Sequence, residues 1–431
     1  MKKTILFWAL ALGIINLFAV LPRTVAQSIK WTSRADLPLT TPSVIGGRSA
    51  MCFAINGKIY VGGGYIASLT NSREFYEYDT ATNVWTAKAD LPASLNRTAG
   101  IAFAIGGKGY IGLGSENYLD ISGGAIPLAD LWEYNPTLDT WVGKTPFPDT
   151  GRDGAACFVV NNKAYIVGGD LGAYATADVW EYNPSADAWT AKAQYPAGGI
   201  SDPFAFALGT GASARGYVSC GRVGSAASKK TYAYDPATNT WTAKADYPGS
   251  PVRGGTSFTM NNKGYCGLAG LNFTVYSDTF YAYDATAGTW GPAITTFPGA
   301  ARGYGVAASF GNKAYLGAGW TYASGTGETF YRDWYRVMDT AAPSSILPIV
   351  KKEQGLTIYP NPAKEILNID VADMAIVTGE VALFNLVGRV MVATNWTKGA
   401  PVSIGRLPAG QYVVRLVTER EIFYKQVTVK Q

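Results

Sequence analysis

From about residue 50 to residue 340 the chain is a succession of short apolar runs separated by turns whose chemistry can be read directly. The run AMCFAI meets KIYVGG across Asn56-Gly57, and the same junction recurs at Gly106-Gly107, Asn161-Asn162, Asn261-Asn262 and Gly311-Asn312. Asn and Gly tolerate the positive φ that a two-residue hairpin needs at both central positions, so each junction predicts a tight antiparallel hairpin. One unit departs, with the longer connection LGTGASARG. A third run follows as FYEYD, LWEYN, VWEYN, TYAYD and FYAYD, and six residues after its last Asp or Asn comes a Trp: Trp85, Trp141, Trp189, Trp241 and Trp290. Between them Asn83, Asp139, Asp187, Asn239 or Gly288 supplies a left-handed turn residue. Each unit thus predicts four antiparallel strands.

Four strands in about fifty residues, repeated, is the pattern of a propeller blade. Six first-strand units and six Trp strands are present, out of phase. The last unit, from Arg302, has no Trp strand after it, while the chain carries an extra one early, SIKWTSRADLP around Trp31. Pairing that strand onto the last unit removes the exposed edges. The expected fold is all-β: a six-bladed propeller over 27–339, closed by an N-terminal strand, followed by a small C-terminal β-sandwich. The units resemble the kelch repeat family in several features. These are the Arg before strand one (Arg48, Arg97, Arg152, Arg253, Arg302), the strand-two Tyr, the Gly pair behind it (Gly63-Gly64, Gly168-Gly169), the strand-three Tyr and the strand-four Trp. The fourth unit lacks the Arg and has Ile200-Ser201-Asp202 near that place.

Residues 340–354 are rich in Pro and Ser and read as a linker; from 355 to 431 alternation resumes without the Trp repeat. This tail resembles the C-terminal sorting domain of type IX secretion cargo of Bacteroidetes. The matching residues are Tyr359-Pro360-Asn361-Pro362, Gly388-Arg389, Leu407-Pro408-Ala409-Gly410-Gln411-Tyr412 and Lys425. The resemblance implies export across the outer membrane, with the type IX machinery and a sortase-like protease as partners. Residues 1–26 fit an export signal: Lys2-Lys3, the apolar stretch Ile5–Leu21, and small residues up to Ala26. The reading is therefore of a secreted or outer-membrane-surface protein, with no integral span after signal cleavage.

Composition narrows the chemistry. The chain of 431 residues has no His, which removes Ser-His-Asp triads, Cys-His pairs and His-held metals. No metal site and no cofactor is expected. Loss of Lys2, Lys3 and Arg23 with the signal lowers the net charge of +5 by three, too little to imply nucleic acid. The four Cys sit at repeat positions that do not pair them, and are expected to be free.

Long loops fall after strands two and four, on one face, which is where a ligand is expected. Two constellations lie there. Arg48, Arg97, Arg152, Arg253 and Arg302 suit an anion, yet Glu74, Asp130, Asp178, Asp278 and Asp333 recur just before strand three and suit structural ion pairs instead. Tyr65, Tyr118, Tyr174, Phe273, Tyr276, Trp320 and Tyr322 offer rings that either stack on sugars or pack beneath their loops. Asp202, Asp149, Asp153 and Glu116 are nearby acids without a dedicated partner. The functional expectation is a binding propeller for a glycan or protein. Kelch resemblance also implies an enzyme on an acidic sugar, such as a sialic acid mutarotase or epimerase, as the alternative; a structural or adhesive surface protein is the third.

Overall fold

The structure, a computed structural model, describes residues 29–40, 43–44, 48–66, 70–92, 96–116, 126–172, 174–272, 274–325, 327–339, 356–372, 378–385, 390–405, 407–418 and 422–430. The expected signal (1–26), the linker (340–354) and the candidates Tyr118, Phe273 and Gly388 lie outside the described residues. The chain divides into two compact units, Met1–Ala342 and Pro343–Gln431.

Among the described residues the first unit holds six four-stranded antiparallel sheets. The first strands are Met51–Ile55, Ile101–Ile105, Ala156–Val160, Phe204–Leu208, Thr256–Met260 and Val306–Phe310. Each touches the next, and the last touches the first, so they form a closed inner ring. The outermost strand of the sixth sheet is the N-terminal one: Ile29–Arg34 pairs antiparallel with Trp334–Asp339, Trp31 lying opposite Val337. Trp31 packs against Phe280 and Phe297, at 5.6 and 5.2 Å between ring centroids. The hairpin chemistry holds at both positions of four junctions, and at Gly311 but not Asn312 in the fifth. Asn56, Gly57, Gly106, Gly107, Asn161, Asn162, Asn261, Asn262 and Gly311 all have positive φ, as do Asn83, Asp139, Asp187, Asn239 and Gly288.

The repeated Trp explains how neighbouring blades are tied. The indole N–H of Trp85, Trp141, Trp189 and Trp241 donates to the carbonyl of Ala35, Ala89, Thr145 and Ala193 in the preceding blade, each at 2.9 Å. The backbone N–H of those same four residues donates to the side chain of Asn83, Asp139, Asp187 and Asn239. Each of those side chains also accepts the strand-three Tyr hydroxyl of its own blade. The residue four past Trp31, Trp85, Trp141 and Trp189 is therefore held at both its N–H and its C=O by the following blade.

Blade faces also interlock by size. Phe53, Phe158 and Phe206 project from strand one against Gly109, Gly216 and Gly264 of the next blade, where an added Cβ would lie within 2.0–2.2 Å of the ring. At the last boundary the sizes invert: Ala308 stands where the others have Phe, and Ile59 where the others have Gly or Ala. Total volume is kept, as dense packing requires.

The second unit has a three-stranded sheet (Leu356–Tyr359, Ile366–Val371, Val402–Ser403) and a four-stranded one (Val390–Thr397, Thr378–Asn385, Gly410–Val417, Ile422–Val429). Leu367, Ile369, Leu383, Trp396, Val414 and Phe423 fill the core of this unit. The sorting residues hold its turns together. Tyr412 Oη donates to the Pro408 carbonyl (2.8 Å), Lys425 Nζ to the Leu356 carbonyl (2.8 Å), and Asn361 Oδ1 accepts from the Thr428 N–H (3.0 Å). Leu407 is buried and Gly410 half-buried, while Tyr359, Pro360 and Pro362 are exposed.

All four Cys are free, as expected; Cys220 and Cys266 are buried, Cys52 and Cys157 half-buried.

Candidate functional site at the channel mouth

Just before each first strand, one residue per blade turns left-handed: Ser49, Ala99, Gly154, Asp202, Gly254 and Tyr304, with φ between 54° and 58°. Their backbones form a closed circle of hydrogen bonds. Tyr304 N–H donates to Gly254 (2.6 Å), Gly254 to Asp202 (2.9 Å), Asp202 to Gly154 (2.7 Å), Gly154 to Ala99 (2.9 Å), Ala99 to Ser49 (3.0 Å) and Ser49 to Tyr304 (3.0 Å). A left-handed non-glycine costs on the order of 1 kcal/mol, so four of them together mark a position that the surrounding fold dictates. The circle and the residues that follow it line a cavity of about 130 Å³, mostly with Ala and Gly, and Asp202 is its one charged residue.

The circle corrects the arginine pattern. Arg97, Arg152 and Arg302 lie two residues before it, whereas Arg48 and Arg253 lie one residue before. A shift of one residue in extended chain sends the side chain to the opposite side. The carbonyls of Ile200 and Val252 accept from Gly169 and Gly221 as those of Arg97 and Arg152 accept from Gly64 and Gly114, so Ile and Val occupy the true arginine position in blades four and five. The five arginines are thus not one ring.

Arg97, Arg152 and Arg302 are fully buried and structural. Arg97 donates to Asp130 at 2.6 Å, Arg152 to Asp178 at 2.5 Å and Arg302 to both oxygens of Asp333. Each also caps a carbonyl behind strand two, at Leu113, Gly168 or Ala318. Burial alone would raise the Asp178 carboxyl, but the hydrogen bond and charge of Arg152 hold it below the usual range. Asp149 is spent on the same arginine, at 3.2 Å.

Arg48 and Arg253 instead lie near enough to Asp202 for their charges to act on its carboxyl, and Arg48 is itself buried. The Arg48 guanidinium lies over the rings of Tyr304 and Trp320, at 4.5 and 4.6 Å. Together with Arg222, which follows strand two of blade four, they surround Asp202 electrostatically. Burial pushes the Asp202 carboxyl up; Arg48, Arg253 and Arg222 oppose this, and Asp170 adds to it. Asp153 sits one residue before the circle in blade three and takes a 2.9 Å hydrogen bond from Ser115 Oγ. Burial first, then the charge of Asp202, pushes its carboxyl up to about 7. Asp170 pairs with Arg222, and its backbone bridges Asp153. Three guanidiniums and three carboxyls thus share one mouth. Arg222 and Asp170 escaped the sequence reading because they lie behind strand two. The count from arginine to strand, three residues in blades one and five but four elsewhere, was the signal for the slip.

The aromatic candidates also divide. Tyr65 and Trp320 are buried and tied to opposite oxygens of Glu328, at 3.3 and 3.1 Å. Tyr276 is half-buried and accepts the Tyr322 N–H at 3.1 Å. Tyr174 and Tyr322 are exposed, and Tyr322 stacks against Trp320 with centroids 6.4 Å apart. Glu116 is half-buried in a short hairpin with Ile126.

Comparison with known proteins agrees with this architecture. Residues 25–203 match the KLHDC2/KLHL20/DRC7 Kelch-repeats domain, and residues 357–430 match the secretion system C-terminal sorting domain. Curated relatives include the N-acetylneuraminate epimerase of Escherichia coli O1:K1, 30% identical over 143 residues covering 32% of this chain and 35% of that protein. That of Shigella flexneri serotype 5b is 31% identical over 119 residues, 26% of this chain and 29% of that one. The chain therefore spans about a third of the length of the curated relatives it matches. The solved structure of YjhT aligns with 70% of this chain and 95% of its own, with a TM-score of 0.55 at 19% identity, a likeness of fold. The sorting tail implies a secreted or cell-surface protein that engages the type IX secretion machinery. Among the described residues no helix is long and apolar enough to cross a membrane. The chain carries a kelch-repeat β-propeller followed by a secretion-system C-terminal sorting domain.

Proposed function

We propose that the channel mouth binds an acidic sugar of the N-acetylneuraminate type, displayed or released outside the cell. The observation that carries this reading is the convergence of Arg48, Arg222 and Arg253 on one polar mouth beside Asp153 and Asp202. Guanidinium forks match a sugar carboxylate, and Tyr322 offers an exposed ring at the rim. Protonation of Asp153 removes one of the three negative charges, so an anion binds more tightly as pH falls through about 7. The names of the partial relatives point to the same substrate class.

Anomer interconversion is a second reading, favoured by the two differently placed carboxyls. Asp153, protonated, would donate to the ring oxygen while the carboxylate of Asp202 takes the proton of the anomeric hydroxyl; the ring opens, and closure on the other face returns both protons. No redox partner is needed. Calorimetry with N-acetylneuraminate and with neutral N-acetylmannosamine tests binding. Arg48→Ala should weaken the acidic sugar about tenfold to a hundredfold, as loss of charged hydrogen bonds does. Equal affinity for both sugars, or indifference to Arg48→Ala, overturns the proposal. Proton NMR of anomer equilibration separates binding from catalysis: a rate equal to that of buffer rejects the second reading alone.

A further inference from the structure

On the side of blades one, two and three that faces the next blade, strand three carries a Glu. Glu181 accepts from Lys163 (2.7 Å), Tyr165 (2.7 Å) and Lys192 (3.1 Å), and these donors hold its carboxyl below the usual range against the effect of burial. Glu77 likewise accepts from Lys58 and from Tyr60 at 2.7 Å; Glu133 accepts from Tyr110 at 2.8 Å, with Lys144 at 3.8 Å. In blade four the donors remain and the carboxylate is gone. Tyr217, Ala233 and Thr242 lie opposite one another as Tyr165, Glu181 and Thr190 do in blade three, with Arg215 and Lys244 in place of Lys163 and Lys192.

The truncation leaves a cavity of about 230 Å³ lined by Arg215, Tyr217, Ala233, Asp235, Thr242 and Lys244. Arg215 is satisfied by Asp235 at 2.7 Å. Among the described residues Lys244 has no carboxylate partner, and the hydroxyl of Tyr217, a side chain only 5% exposed, has no acceptor. Two donors, one of them cationic, therefore face a space that a glutamate fills in blades one, two and three; in blade five, where Ala282 also stands at this position, Tyr265 donates to Asp339 at 3.1 Å instead. A carboxylate in that space would accept from both, and hydrogen bonds to an ionised acceptor are the stronger kind.

We propose that blade four carries a second, independent site, in which a small carboxylate fills the space of the missing glutamate between Tyr217, Lys244 and Arg215. It lies on the strand-two-to-four surface, away from the mouth residues Arg48, Arg222, Arg253, Asp153 and Asp202, and does not depend on their reading.

Thermal melting of the purified chain in sodium acetate, against sodium chloride of equal ionic strength, reads the site. At ten times its dissociation constant acetate favours the folded state elevenfold, a rise of about 2 °C for a unit of this size. Ala233→Glu supplies the carboxylate internally. It should melt higher than the unsubstituted chain in chloride and lose the acetate increment. Ala233→Gln, which fills the space without charge, should melt lower than Ala233→Glu. Arg48→Ala, which alters the mouth, should keep the increment, so failure here is distinguishable from failure of the acidic-sugar site. Equal melting in the two salts, or an acetate increment of the same size in Ala233→Glu, overturns the proposal.

Discussion

Replacing Asp153 by Asn tests how far the mouth is electrostatically loaded. Asp153 is 9% exposed, hydrogen-bonded to Ser115 and close enough to Asp202 for the two charges to repel. Its carboxyl titrates at about 7 in the folded protein against 3.8 in an ordinary setting. Between those values the folded chain holds a proton that the unfolded chain has released. Stability from this group is therefore complete below pH 4 and declines as pH rises through 7. Each unit is worth about 1.4 kcal/mol, so about 4 kcal/mol is lost over the whole interval. Asn has the shape of the protonated acid and does not ionise. The stability difference between Asp153→Asn and the unsubstituted chain should therefore widen in favour of Asn by about that amount from pH 4 to pH 8. Urea denaturation at four pH values, followed by Trp fluorescence, measures it. Parallel curves at every pH would show that Asp153 ionises freely and that the mouth is wetter than its geometry implies.

Three further outcomes are expected. Arg302→Ala breaks the ion pair between the fully buried Arg302 and the half-buried Asp333 and should cost about 3 kcal/mol in denaturant, whereas Arg48→Ala should affect ligand affinity more than stability. Ala308→Phe should destabilise by about 1–3 kcal/mol because Ile59 already fills that space, and adding Ile59→Gly should recover most of the loss in a double-mutant cycle. Trp31→Ala removes the rings that seat the closing strand and the 3.0 Å bond to Thr296; protease cleavage within 302–339 should appear at lower temperature than cleavage elsewhere in the propeller.

Much of the scaffold was legible because its determinants are local. Asn161-Asn162 and Asp187 dictate their own turns, and a period of two fixes which residues of FYEYD face inward. Even the unpaired early copy around Trp31 could be assigned, since a ring with one strand missing and one spare has a single closure. The mouth resisted because it is assembled from six blades at once. Five arginines looked equivalent until the hydrogen-bonded circle showed that Arg48 and Arg253 are one residue out of step. Nothing local marks Arg222 and Asp170 as their neighbours. The blade-four cavity lies between these cases: Ala233, like Ala282 in blade five, stands where blades one to three have Glu77, Glu133 and Glu181, but its meaning needs the donors left around it.

The circle of six backbone bonds at the channel neck also sets what kind of electrostatics the axis has. Peptide dipoles aligned in a helix add along its axis and give it a positive and a negative end. Around a closed circle of near-equal members the same dipoles run head to tail and their vector sum vanishes. Their N–H and C=O groups are consumed in the circle and are withdrawn from any ligand below it. The polarity of the mouth is consequently written in side chains alone, on a neck that stays electrically neutral when they change. A descendant of this fold could exchange Arg48, Asp153 or Arg253 for residues of opposite charge, and so invert the sign of its ligand, without disturbing the circle that keeps the ring shut.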